Sequence, residues 1–396
     1  MTVLTWPAYM GQLAYGIKMG VVRQGSDLET MVLESLEKCH RDGLLSNGDI
    51  VCVTESVVAR AQGNYVTLDH VAMETRAIMD IDPTGCLGVV FPIASRNRFS
   101  LVLKGLARAV CDGRVVVQMS FPFDEVGNQV VDPSVAERMG LEHTSLVYAH
   151  QLPQPSVHPV TGVDYLALYQ EIIESEGAEA CILLSNDPLA VMAEQPNAVI
   201  AADIHRRDDT SRTLAATGVR TATLQELCAS ETGGQGWSEW GLLGSNMSSS
   251  DRLKLAPRNA SAFARKIQTL ARTPLGIEIE VIINGDGAYM DPRTGIYELA
   301  DPKPSFGSTD GLVRRMRRGV KYKLFADMLL ERGVSEDEIE AFIANRKAMH
   351  PTSDSAGTEG TTPRSLEDIV ASLADLVSGS ADAATPVVVV RGFLGD

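Results

Sequence analysis

The stretch GIEIEVIINGDGAYMDPR, Gly276 to Arg293, decides how the rest of the chain is read. Ile277, Ile279, Val281 and Ile283 alternate with Glu278 and Glu280, the period of a half-buried strand. The apolar run stops at Asn284-Gly285-Asp286-Gly287. Flanking glycines let the backbone fold close to a bound group and leave the Asp286 carboxylate uncrowded. Asp291, Glu298 and Asp301 follow within one connection. Four carboxylates so close in sequence repel one another unless a cation sits among them. Hard cations such as Mg2+ or Mn2+ take oxygen ligands of this kind, so these four are the candidate metal ligands. Upstream, Asn259 can cap a helix on which Ala260, Phe263, Ile267 and Leu270 share one face. The unit from Trp240 to Pro304 therefore reads as loop, helix, strand and acidic loop.

The whole chain has 396 residues, enough for two or three domains and a sizeable core. Its 35 basic and 51 acidic side chains leave a net charge of −16. That argues against a nucleic-acid surface, which needs clustered Lys and Arg, but leaves room for an anionic substrate in a local basic pocket. The six cysteines form no CxxC pair and several sit in apolar runs. Free thiols in a reducing cytoplasm are the expectation. No apolar run reaches membrane-spanning length and no signal peptide is evident, so no membrane partner is expected.

Ser26-Asp27-Leu28-Glu29 has a capping-box pattern before an amphipathic helix. Gly48-Asp49 turns into a strand at Ile50 to Val53. Ser95-Arg96-Asn97-Arg98 lies between two apolar runs, Leu87 to Ile93 and Phe99 to Leu103. Read as a loop between strands, it offers Arg96 and Arg98 as a grip for a carboxylate or phosphate, with a solvated turn as the alternative. From about His158 to Cys228, helices and strands alternate: Tyr165 to Glu174, Cys181 to Leu184, Ala198 to Ala201, Ser211 to Ala216. This predicts an inserted α/β layer with a parallel sheet, over 158–235. Ligands sit outside the carboxyl ends of such strands, where Asp203, His205 and Arg206 fall, and Asp164 precedes the layer. These are the substrate-pocket candidates. Thr232 to Gly236 reads as a flexible linker, since no Lys-Ser/Thr follows the glycines. Arg314 to Lys323 reads as a solvated basic helix face, and Ser335 as a cap. Pro351 to Thr362 reads as a mobile loop, and Pro363 as the start of the C-terminal helix.

Four segments, in order, resemble the coenzyme F420-0:gamma-glutamyl ligase family. GDIVCVTESVVARAQG (Gly48 to Gly63) is similar to its N-terminal segment, and GLLGSN (Gly241 to Asn246) to its GVDxSN loop. LAPRN with the following helix and strand resembles its LLPxDP-helix and strand-end Asp. The C-terminal run ending PVVVVRG (Pro386 to Gly392) resembles its PVVxVRG. The region from about Gly88 to Glu239 is not accounted for, and Leu243 stands where the family carries Asp. The resemblance implies a mixed α+β ligase body, formed by residues 1–157 and 236–396 around the insert. It implies a homodimer that uses ATP or GTP with Mg2+ or Mn2+ to join a carboxylate to an amino acid through an acyl phosphate. It assigns Glu55, Arg60, Ser245 and Asn246 to the nucleotide, and Arg60, Asn246 and Arg293 to catalysis. A surface ion pair is the plainer reading of Arg60. A metal-dependent phosphotransferase or phosphohydrolase and a non-catalytic nucleotide-binding protein are the competing functions.

Overall fold

The computed structural model describes residues 10–153, 155–286, 289–290, 297–298, 301–317, 319–349, 364–378 and 384–394. The architecture is mixed α+β, as expected. The strand that opens the sequence reading is present as Glu280–Asn284. It is buried on both faces rather than half-buried. Val281 and Ile283 pack with the helices Leu28–Arg41 and Ala260–Leu275, while Ile282 packs on the opposite face against the helix Leu366–Ser378. The alternation that suggested one wet face belongs to the approach to the strand, where Glu278 pairs with Arg272.

This strand sits in a five-stranded sheet of order Leu13–Ile17, Val387–Arg391, Ile50–Thr54, Glu280–Asn284, Ser305–Ser308. It runs parallel to Ile50–Thr54, with Asn284 opposite Thr54. Parallel neighbours end at the same edge, so Glu55 and Gly285 leave the sheet side by side. The N-terminal segment and the segment after Trp240 thus build one body, closed by the C-terminal strand. Arg391 fixes that strand by donating from Nε and Nη2 to the buried Asp49 carboxylate at 2.7 and 2.6 Å. The Arg of the terminal VRG run is therefore a structural clamp.

A second, six-stranded sheet carries the α/β layer, and it begins well before residue 158. Its order is Val147–Tyr148, Glu179–Leu184, Arg114–Met119, Cys86–Val90, Ala198–Ala201, Arg220–Thr223. All pairings are parallel except that of the Val147–Tyr148 edge. The expected strands at 181–184 and 198–201 exist, but the two strands between them come from 86–119. A unit starting at 158 would lack the centre of its own sheet, whose ladders span residues distant in sequence.

Arg98 is also placed differently from its reading. Phe99–Ala109 is a helix, and Arg98 occupies its N-cap position. The run Phe99 to Leu103 is buried throughout, Ser100 included, because this helix is packed against other helices as well as the sheet. The loop before it is pinned by Tyr169, whose hydroxyl accepts from Ser95 N at 2.9 Å and donates to Ile93 O at 2.7 Å. Tyr169→Phe leaves both backbone groups short of a partner in the core. It is expected to cost about 2 kcal/mol in chemical denaturation, against near zero if the loop holds itself.

A third sheet, Asn246–Ser249, Arg252–Lys254 and Tyr65–Thr67, joins the two bodies. The buried Asn64 locks it. Its side chain donates to Trp237 O and Ala256 O and accepts from Trp237 N. Gly236, read as part of a linker, is packed tightly: a Cβ there would lie 2.6 Å from Tyr65 O.

Smaller readings also shift. Asp27, not Ser26, caps the first helix. Asn259 stands at its N-cap with φ 51° and no side-chain cap, its N–H donating to Glu239 instead. The basic run from Arg314 holds a turn and the short strand Met316–Arg317, with the helix starting only at Tyr322. Ser335 forms its capping box with Glu338. Residues 351–363, read as a loop and helix start, lie outside the described residues. All six cysteines are free thiols. No helix among the described residues is long and apolar enough to cross a membrane.

Candidate active site

The site forms where the three sheets meet, and each supplies a charged side chain. Glu55 follows directly from the strand Ile50–Thr54. Lys254 ends the strand Arg252–Lys254, and its Nζ lies 2.8 Å from both Glu55 carboxylate oxygens. Both side chains are under 10% exposed, so this is a dry ion pair. Burial drives the Glu55 carboxyl upward, against the opposing pull of Lys254.

Beside it, Arg98 reaches from the α/β layer to two carboxylates on the five-stranded sheet. Its Nη1 donates to Asp301 Oδ1 at 2.8 Å, and Nη2 donates to Asp286 Oδ2. Asp286 N donates to Asp301 Oδ2 at 2.6 Å. Gly285 is what lets these groups close up: a Cβ there would lie 2.4 Å from Asp301 Oδ2 and 2.6 Å from the Phe306 ring. Burial, and then the charge of Asp301, push the Asp286 carboxyl up to about 7, although Arg98 pulls it back down. Burial alone would lower the proton affinity of Arg98. The two aspartates outweigh it and hold the guanidinium well above its ordinary value.

Two cavities open on this cluster, and they differ in charge. The larger, about 1000 Å3, is lined by Arg60, Arg96, Lys104 and Lys254, with hydroxyls from Ser56 and Ser248 to Ser250 and, among the described residues, no carboxylate. Lys104 also pairs with Glu176 at 3.5 Å. This is a basic cleft on a strongly acidic chain. The smaller, about 200 Å3, is lined by Glu55, Asn284, Asp286 and Asp375. Ser56 and Asn246 belong to both linings, so the two are adjacent. Asn284 is 1% exposed, and neither its Oδ1 nor its Nδ2 has a partner among the described residues. A buried amide without partners in an acidic pocket is a vacant donor and acceptor pair facing charge.

The sequence candidates divide accordingly. Glu55, Arg60, Arg96, Arg98, Asn246, Asp286 and Asp301 converge here. Asp291, Arg293 and the side chain of Glu298 lie outside the described residues. Among the described residues, no three His, Cys, Asp or Glu side chains form a metal-sized group. Ser245 is buried and lines a small apolar pocket with Arg98 and Leu243 instead of either cavity. Leu243 is in the apolar core and offers no ligand. Asp164 is used structurally: it caps the helix Tyr165–Ser175, accepting from Ala167 N and Ser156 N. Asp203 and Arg206 line a separate cavity that shares no lining residue with these two. His205 donates its backbone N–H to Glu125. Lys254, Asn284 and Asp375 were not singled out in the sequence. Asn284, at the end of the decisive strand, was the one with a signal: an amide closing a run of buried aliphatics.

The match of known family models to this chain agrees with that geometry. The model for F420-0:Gamma-glutamyl ligase covers residues 16–392. The chain belongs to the F420-0:gamma-glutamyl ligase family. The match spans the α/β layer as well as the flanking body, including the region that the short motifs left unaccounted for. No individually curated protein matches the chain. The family is one of ligases. Ser56, Arg60 and Asn246, from the segments that resemble it, line the larger cavity, and Glu55, Ser56, Asn246 and Asn284 the smaller.

Proposed function

We propose that this family member is a nucleotide-dependent carboxylate–amine ligase working through an acyl phosphate. The observation that carries the reading is the adjacency of a basic cleft and a buried acidic pocket. A nucleoside triphosphate needs both: cations along its phosphates, and oxygen ligands for the divalent ion that accompanies them. Arg60, Arg96 and Lys104 are suited to hold the phosphates of ATP or GTP. Asp286, backed by Asp301, and Asn284, whose amide has no partner among the described residues, are suited to Mg2+ or Mn2+. Such an ion would neutralise phosphate charge and the charge that develops on transfer.

The acid substrate's carboxylate attacks the terminal phosphorus and the nucleoside diphosphate leaves. The amino acid's amine then attacks the acyl carbon, and inorganic phosphate leaves with the bond electrons. Lys254 stands at the wall of the basic cleft, where it offers positive charge to the transferring group. Arg98 holds Asp286 and Asp301 in register. Asn246, on the boundary of the two cavities, is placed to orient a phosphate or the amine.

Nucleotide hydrolysis screened against pools of carboxylic acids and amino acids, with mass spectrometry of the products, tests this. An amide product and amine-dependent phosphate release support it. Phosphate release indifferent to amines would favour a phosphohydrolase, and metal-dependent nucleotide binding without turnover a binding protein.

The same reading includes a homodimer. The helices Tyr322–Leu330 and Glu336–Ala348 pack on each other through Phe325 and Phe342, yet the first has no buried residue. Leu330 and Phe342 are 53% and 41% exposed, more apolar surface than a lone helical hairpin would leave in water. Light scattering at micromolar concentration should give twice the chain mass. A monomeric mass would count against it.

A further inference from the structure

The α/β layer holds a cavity of its own, at the place where its topology calls for one. Its five parallel strands lie in the spatial order third, second, first, fourth, fifth. Strands are added outward on one side up to the third, and the order switches to the other side between the first strand, Cys86–Val90, and the fourth, Ala198–Ala201, which pair in parallel. Helices then leave on opposite faces and a crevice opens at the carboxyl ends of the strands. A cavity of about 470 Å3 is found there, lined by Phe91 after the first strand, Phe121 to Glu125 after the second and Asp203 after the fourth. That volume suits a small organic molecule.

Two observations point to a ligand. Asp203 is 2% exposed and its Oδ2 accepts from Thr210 at 2.8 Å, but Oδ1 has no partner among the described residues. A buried carboxylate oxygen left bare costs free energy unless something donates to it. Phe91 has φ 58°, a left-handed conformation that a bulky side chain adopts only when its surroundings enforce it. Its N–H donates to Gln118 O, which ties its backbone to the neighbouring strand, and its side chain lines the crevice.

The lining also specifies chemistry. Phe91, Phe121 and Phe123 line it with aromatic side chains, while Asp124, Glu125, Asp203 and Asp209 outnumber Arg206. The turn after the first strand reads Phe91-Pro92-Ile93-Ala94 and lacks the glycines that admit a phosphate. We infer that this crevice is a second ligand site, for an unphosphorylated small molecule with a flat ring and a hydrogen-bond-donating head that meets Asp203 Oδ1. A ribose hydroxyl and an ammonium group share that donor chemistry.

Calorimetric titration of the full chain with adenosine, and separately with tyramine, distinguishes the two sources and tests the site. Asp203→Asn preserves shape and leaves an oxygen for Thr210, but places N–H groups where a bare oxygen was. Thr213→Trp adds bulk to the lining from an exposed helix position and leaves Asp203 itself unchanged. Saturable binding of either probe that weakens about tenfold or more in both variants, and survives Arg60→Ala, supports the site. The Arg60 control separates it from the basic cleft, so the ligase reading can fail while this one stands. No binding of either probe at millimolar concentration, or binding abolished by Arg60→Ala and spared by Asp203→Asn, overturns it.

Discussion

Asp286→Asn should lower turnover about a hundredfold or more. The substitution keeps the size of the side chain and much of its hydrogen bonding. It removes the charge that a divalent cation needs. Asp286 is a carboxylate lining the acidic pocket, next to Asn284, whose amide has no partner among the described residues, and is held against Asp301 by its own backbone N–H. The competing role is structural, as one of two anchors for Arg98. That role predicts a different pattern. Arg98 would keep Asp301, stability would change modestly, and turnover would survive nearly intact. Metal titration followed by steady-state rates separates the two. Weakened Mg2+ or Mn2+ affinity in step with lost turnover supports ligation. Unchanged metal affinity together with near-normal turnover rules it out.

Lys254→Met should destabilise the fold by about 3–5 kcal/mol, because it strands a carboxylate in the interior. An exposed pair would lose no more than about 1 kcal/mol, but here both partners are buried. The loss should depend on pH in a definite direction. Glu55 already has its carboxyl raised by burial, and Lys254 is the main group lowering it. Without Lys254 the folded-state value rises further above the unfolded one. Stability tied to a raised carboxyl is fully present below the unfolded value and is lost as pH rises through the folded one. The variant should therefore lie closest to wild type near pH 4 and fall behind as pH increases. Lys254→Met with Glu55→Leu removes both charges and should recover much of the stability while remaining inactive. Chemical denaturation at several pH values reads all three. A pH-independent loss below about 1 kcal/mol would show the pair to be solvated.

Several features were legible before any coordinates. The strand before Asp286 was found from the alternation of Ile277, Ile279, Val281 and Ile283 with glutamates, though it spans only Glu280–Asn284, and the Ser335 box from its Glu338 partner three residues on. Both are local signals, set by neighbours within one turn or one strand. The α/β rhythm after Tyr165 was likewise visible, since helices and strands announce themselves by period. What failed were judgements about surroundings. Phe99 to Leu103 read as a strand because a short apolar run carries no period when every face is covered. The layer's true start was hidden because strand order in a parallel sheet depends on pairings between distant segments.

The sequence by itself determined that carboxylates crowd, along the chain, after the end of one strand, and that the chain carries ordered segments resembling a ligase family. Only the tertiary structure decided which charges meet. Lys254 and Glu55 are 199 residues apart, and Arg98 and Asp301 203. No periodicity links such positions. They are brought together because the five-stranded sheet buries its faces under helices while the α/β layer packs a core of its own, and the charged groups at strand and helix ends meet where these bodies join. Burial then makes those contacts consequential, since a charge removed from water has to find its partner in the protein.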